Sequence, residues 1–250
     1  MKKVLIGIGV LVVIAAVVIT LVVGNLGSII KKGVETVGPK ILQADVKLDK
    51  VDISLSSGSG ELSGFRIGNP AGFKTDYAFD MDRVKIELDP QSVTTDTIHI
   101  KEILIESPKI IYEGSLGQSN LNKLQANAAA FAGKSKQDTS SESGKPGKTV
   151  VIDLLKIAGG EASLSMNLLQ GRKVTVPLPV IELKNIGKNK GTDFAGVLKI
   201  VLAEINKALV PAIQSKLTGL GLSSGLQEGA GRVQQEAEKN LDKLKGIFGK

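Results

Sequence analysis

The sequence predicts an α+β protein, mostly β, with a single N-terminal transmembrane helix and then a bent antiparallel sheet, a groove or partial barrel, packed with C-terminal amphipathic helices. Three observations predict it. Residues 4–23 form an unbroken apolar run, long enough at about 20 residues to cross a bilayer as one helix. Between residues 41 and 183, short stretches alternate apolar and polar side chains between Gly, Asn and Pro punctuation, the pattern of half-buried strands. Residues 192–217 carry apolar side chains every three or four positions, the stripe of an amphipathic helix.

The apolar run begins after Lys2 and Lys3, exceeds the usual apolar core of a secretory signal, and is closed by no small-residue cleavage site. These features favour an uncleaved anchor over a cleaved leader. The two lysines favour a cytoplasmic N-terminus with the bulk of the chain outside, although Lys31 and Lys32 weaken the asymmetry. The expected divisions are an anchor over 1–27, a stem over 28–40, a β module over 41–132, a disordered loop over 133–148, a second β segment with its packing helix over 149–217, and an amphipathic C-terminal helix over 218–250.

Composition narrows the interior and the partners. Hydrophobic residues make up 42% of the chain and aromatics 3%, with no Trp, so the core must be built from Val, Ile, Leu and Ala. No cysteine is present, which excludes disulfides and thiolate metal sites. The net charge of +7 suits anionic lipid or plain solubility. With so few aromatic rings for base stacking, no nucleic-acid partner is expected.

In the stem, Ile29, Ile30, Val34 and Val37 are spaced as on a helix, which Gly38 and Pro39 are expected to end. Sheet is expected from about Ile41. Val46 and Leu48, then Val51, Ile53 and Leu55, alternate with polar residues up to the turn Ser57-Gly58-Ser59-Gly60. Phe65 and Ile67 share a face, while Leu62 falls out of phase across Gly64, the mark of a bulge. Asn69-Pro70-Ala71-Gly72 reads as a turn leading into a loop through Tyr77, before Val84, Ile86 and Leu88 resume the alternation. Ile98 and Ile100 are followed in opposite phase by Ile103 and Ile105, so that strand bulges near Lys101-Glu102, and Ile110 and Tyr112 continue beyond Pro108.

Residues 119–131 turn helical through Leu121, Leu124, Ala128 and Phe131. Strands resume at 149–157, with a turn at Gly159-Gly160, then at 162–169 and 174–183. Pro177 and Pro179 confine the last to an edge or break it. Gly60-Glu61 and Gly160-Glu161 raise an internal repeat, which turn chemistry alone would equally produce. Thr192 or Asp193 caps the packing helix, whose stripe runs through Phe194, Val197, Leu198, Val201, Leu202, Ile205, Leu209 and Ile213, with Pro211 expected to kink it or mark its last turns.

Gly60-Glu61-Leu62-Ser63-Gly64-Phe65-Arg66-Ile67-Gly68-Asn69-Pro70-Ala71-Gly72-Phe73, the strand from Thr97 to Ile105 that ends before Pro108, and Ser119-Asn120-Leu121-Asn122 together resemble the opening module of AsmA-like envelope proteins. The likeness covers residues 1–131 and extends to the rest only in outline. It implies an inner-membrane anchor, a groove-forming sheet in the periplasm, and a part in moving phospholipid or assembling the outer membrane. Large members are long bridges. About ten strands at roughly 4.8 Å extend only about 50 Å, so shuttling, homo-oligomer formation or a local role at the inner membrane fits this chain better.

Chemical constellations are sparse. His99 alternates with Ile98 and Ile100 and reads as a solvated position beside Lys101. Asp76, Asp80 and Asp82 lack the spacing and glycine of a calcium loop and read as solvated loop carboxylates. Gly58-Ser59-Gly60 is a hairpin turn and no dinucleotide fingerprint. No catalytic set, metal site or cofactor is expected. The candidate lipid-binding groove is Val46, Leu48, Ile53, Leu55, Phe65, Ile67, Val84, Ile86 and Leu88. Those same side chains could instead pack under the 192–217 helix. The alternative to lipid handling is a non-transporting scaffold or adaptor that binds an envelope partner through Leu226, Val233, Leu241, Leu244 and Phe248.

Overall fold

The computed structural model describes residues 26–135, 148–189 and 191–222. The expected anchor at 4–23, residues 136–147 of the loop expected at 133–148, and the seam from Leu226 to Phe248 lie outside the described residues, while residues 133–135 of that expected loop are helical. Among the described residues no helix is long and apolar enough to cross a membrane.

The chain is α+β and mostly β, a curled half-barrel sheet with a long helix near its C-terminal end. Ten strand segments make the sheet: β1 (Val46–Ser54), β2 (Ser59–Ile67), β3 (Phe79–Leu88), β4 (Thr97–Glu106), β5 (Lys109–Ser115), the two-residue β6 (Gln118–Ser119), β7 (Thr149–Ala158), β8 (Glu161–Ser165), β9 (Val174–Pro177) and β10 (Ile181–Ile186). Register shows that several of these are halves of longer strands. The sheet is mixed, not wholly antiparallel as expected: β4 pairs with β7 in parallel from Thr97↔Thr149 to Glu106↔Ala158, and β5 continues with β8 from Lys109↔Glu161 at the same offset. β10 on β7 and β9 on β8 likewise share one antiparallel register, as do β4 and β5 on β3. The sheet is therefore six long strands in the order β1, β2, β3, β4–β5, β7–β8 and β10–β9, and the two β segments form one sheet.

A crease crosses all six. At Asp49, Gly64, Asp82, Ser107, Gly159 and Pro179 the regular pairing is interrupted, and the registers place these residues opposite one another from edge to edge. Gly64, Ser107 and Gly159 hold φ of 62°, 50° and 68° there. A bulge shifts the side-chain phase of a strand by one, and because every strand shifts on the same line, the apolar residues stay on the concave face on both sides. One buried row runs Val46, Ile67, Phe79, Ile110, Ala162 and Val176, and another beyond the crease, with Leu62 and Ile105 half-buried, runs Val51, Leu62, Val84, Ile105, Ile157 and Ile181. The bulge expected near Lys101-Glu102 is present, since Glu87 pairs with Glu102 and Leu88 with Ile100.

Gly159-Gly160 is not the expected turn. The chain runs straight on, because Gly160 faces Pro108 across the crease: a Cβ there would lie 2.8 Å from Pro108 Cγ and 3.1 Å from Leu178 Cδ2. The two glycines are required by close approach, so Gly160 has no likeness to Gly60, which opens β2 after a hairpin.

Among the described residues three α-helices accompany the sheet: α1 (Leu26–Leu42), α2 (Asn120–Ser135) and α3 (Phe194–Gly219). α1 runs through Pro39, and the sheet starts at Val46, later than expected. Ile41 and Leu42 are buried in its last turn, and Gln43 at φ 50° stops it. Gly38 lets the helix approach β1, since a Cβ there would touch the Val46 side chain at 3.0 Å. α1 also covers the sheet edge: the Leu48 N–H donates to Glu35 Oε1 at 3.1 Å, and Lys31 Nζ donates to the Leu48 carbonyl. Asn127 of α2 donates to the Leu42 carbonyl at 2.8 Å. Asp193 caps α3 by accepting from the Gly196 N–H at 2.7 Å. The buried face of α3 is the expected stripe from Val197 to Ile213 extended to Leu217, but Phe194 stands 44% exposed outside it.

Gly160→Ala is expected to lose about 1–3 kcal/mol by forcing the crease apart. Gly33→Ala, on the exposed side of α1 with nothing within 4 Å, is expected to gain about 0.5–1 kcal/mol. Urea unfolding of both variants against the parent checks the pair.

Candidate apolar crevice

Where the sheet folds, α3 cannot follow both halves at once, and a crevice remains between them. Its cavity volume is about 80 Å³, and it opens to solvent. Phe65, Ile67, Phe79 and Met81 form one wall from β2 and β3. Ile105, Pro108, Ile110, Ile157 and Leu178 form the floor along the crease, and Leu198, Val201, Leu202 and Ile205 of α3 form the other wall. Every lining residue is apolar. Charged side chains lie on the convex face, where Arg66 meets Asp80 at 2.8 Å, Lys85 meets Glu106 at 2.7 Å and Lys156 meets Glu182 at 3.0 Å.

Of the residues proposed from sequence, Phe65 and Ile67 line the crevice. Val46 and Val84 are core, and Leu48 is buried beside α1. Leu88 is buried at the end of β3, and Leu55 sits half-buried in the β1–β2 turn. Ile53 and Ile86 flank Gly60 in a separate shallow cleft whose rim carries Asp52, Glu61, Lys85 and Glu87. Sequence reasoning missed Phe79, Met81, Ile105, Pro108, Ile110, Ile157, Leu178 and the α3 wall. Phe79 and Met81 alternate in phase just before Asp82, a signal masked by the surrounding aspartates.

Asp80 and Asp82 are strand residues, contrary to the loop expectation, and Asp82 lies 3.9 Å from Lys109. His99 is still 40% exposed, but its partner is Asp153, at 2.8 Å from Nε2. Among the described residues no group of three or more His, Asp or Glu is placed to hold a metal.

A polar knot fixes the 68–78 segment, which joins the crevice residues Ile67 and Phe79. Asn120, fully buried, donates to Asn69 Oδ1 at 2.7 Å and to the Ile111 carbonyl at 2.8 Å, and accepts from the Glu113 N–H at 3.0 Å. Asn69 donates to the Thr75 carbonyl at 2.6 Å. The Glu113 carboxylate accepts from the N–H groups of Lys74 and Thr75 and from the Thr75 hydroxyl, each at 2.8 Å. Burial pushes the Glu113 carboxyl up. The Thr75 bonds, with the Lys74 N–H and charge, outweigh it and hold the group below the usual glutamate range.

No protein-family model, no curated protein and no solved structure matches this chain.

The lowered Glu113 value fixes the sign of a pH effect. Its contribution is complete above about pH 4.5, the ordinary glutamate value, and is lost as pH falls through the lower folded-state value. Glu113→Gln is therefore expected to cost about 1–2 kcal/mol at neutral pH and progressively less in acid. Parallel urea titrations of parent and variant across that range check it, and a pH-independent gap would contradict the account.

Proposed function

We propose that this chain is a membrane-anchored envelope protein that handles phospholipid by its acyl chains, in phospholipid transport or outer-membrane assembly, and is not an enzyme. One observation supports the reading above the rest: the crevice is apolar on every wall and open to solvent. Its volume, about 80 Å³, is smaller than the roughly 300–1,000 Å³ of ordinary small-molecule clefts, so part of an acyl chain fits within it and the rest lies along the open mouth. An acyl chain needs no special residue, since each buried methylene contributes about 0.8 kcal/mol. Eight of them supply about 6 kcal/mol before the costs of association. The headgroup stays in water at the open mouth. The apolar run at 4–23 and the resemblance to AsmA-like modules support the membrane setting, with the sheet on the periplasmic side of the inner membrane.

Native mass spectrometry of the full chain, extracted from membranes without added lipid, tests this. Phe65→Asp and Ile105→Asp, each placing a carboxylate in the crevice at a half-buried position, are expected to lower co-purifying phospholipid about tenfold. Ile29→Asp, at a side chain 57% exposed on α1, is expected to leave it unchanged. Equal lipid in all three variants would refute the crevice as the site.

A further inference from the structure

The two edges of the sheet are finished differently. At β1 the outward backbone groups of Leu48 are taken by Glu35 and Lys31 of α1. At the other edge β10 bonds β7 on one side, and no strand lies on its far side among the described residues. An open edge bonds another strand wherever its side chains permit. On β10 they select both the partner and the register.

Glu182 and Lys184 stand exposed on the convex face, while Ile181 and Leu183 continue the concave rows. Two copies of this strand can pair antiparallel about a two-fold axis with their apolar faces matched only if the axis passes through a residue. An axis at Glu182 or at Lys184 sets like charges directly opposite each other. An axis at Ile181 spends a pairing position on Pro179, which has no N–H to donate. An axis at Leu183 sets Glu182 opposite Lys184 of the partner subunit, and Lys184 opposite Glu182 of the partner subunit. We infer that the chain forms an isologous dimer through β10, centred on Leu183.

In this dimer the apolar row Ile103, Leu155, Leu183 passes into Leu183 of the partner subunit, and the two concave faces join in one sheet. Pro179 and the left-handed Asn185, at φ 57°, bound the pairing stretch on either side. A two-fold contact is closed by its symmetry, so a dimer forms and no filament. A single strand pair buries little surface, which places the dimer among weak associations. The pairing does not depend on what the crevice holds, and its test is separate from that of lipid binding.

Sedimentation velocity of the full chain in detergent, at tens of micromolar, reads the dimer directly. The parent is expected to sediment as a dimer. Lys184→Glu replaces two attractions by two repulsions and is expected to weaken it about tenfold. The swapped pair Glu182→Lys with Lys184→Glu restores complementarity and is expected to restore the dimer, which a merely structural loss would not do. The chain has no cysteine, so Leu183→Cys supplies a lone thiol on the axis. On oxidation it is expected to cross-link two copies, and Lys47→Cys on β1 is not. A monomeric parent, a Lys184→Glu dimer as tight as the parent, a swapped pair no tighter than the single reversal, or equal cross-linking at both thiols overturns the proposal.

Discussion

The structure depends on one constraint, that the irregular position in each of six strands falls on the same line. A bulge in one strand of a flat sheet turns the rest of that strand inside out, sending its apolar side chains to solvent. Here Asp49, Gly64, Asp82, Ser107, Gly159 and Pro179 are aligned, so the inversion is shared and the concave face stays apolar on both sides. The residues that make the line possible differ in kind. Gly64 and Gly159 adopt positive φ, Gly160 gives room to Pro108, and Pro179 sits where no inward N–H is needed. The folding of the sheet, the placement of α3 in its curve and the crevice between them follow from that line.

Much of this was legible in single strands. The slip at Gly64, the opposite phases of Ile100 and Ile103, the strand resuming after Pro108 and the stripe from Val197 to Ile213 all appear in the structure as read. What could not be read was which slip lies beside which, because register is a property of pairs of strands far apart in the chain. Gly159-Gly160 was read as a reversal since two glycines are turn chemistry, and only the neighbouring Pro108 shows that they answer a close contact. The same limit governed the site. Phe65 and Ile67 were found because they alternate cleanly, whereas Pro108, and Leu178 between Pro177 and Pro179, stand at strand-breaking positions and become the crevice floor only once the crease brings them together. The resemblance to AsmA-like modules rested on Asn69 and Asn120 among others, and these two are bonded to each other at 2.7 Å in the knot beside the crevice.

α1 is joined to the sheet without a slack tether, three residues separating Leu42 from Val46. It lies antiparallel along β1, with Gly38 against Val46 and Gly27 against the Val51 carbonyl, and its Glu35 and Lys31 finish the strand edge. The bond from Lys31 to Glu35, at 2.8 Å, together with the Leu48 N–H and the Lys31 charge, outweighs desolvation and holds the Glu35 carboxyl below its usual range. The helix therefore serves two purposes at once: it protects an edge that would otherwise pair indiscriminately, and it fixes the direction in which residue 26 leaves the sheet, toward the β1–β2 hairpin.

The central claim is that the crevice along the crease is where acyl chains sit. The most direct test is photo-cross-linking of the full chain, in its native membrane, to a phospholipid bearing a diazirine on one acyl chain, with the adducts mapped by peptide mass spectrometry. The account predicts adducts at Phe65, Met81, Ile105 and Leu202, which face one another across the crevice. Adducts confined to residues 4–23, with none on the sheet or α3, would contradict it.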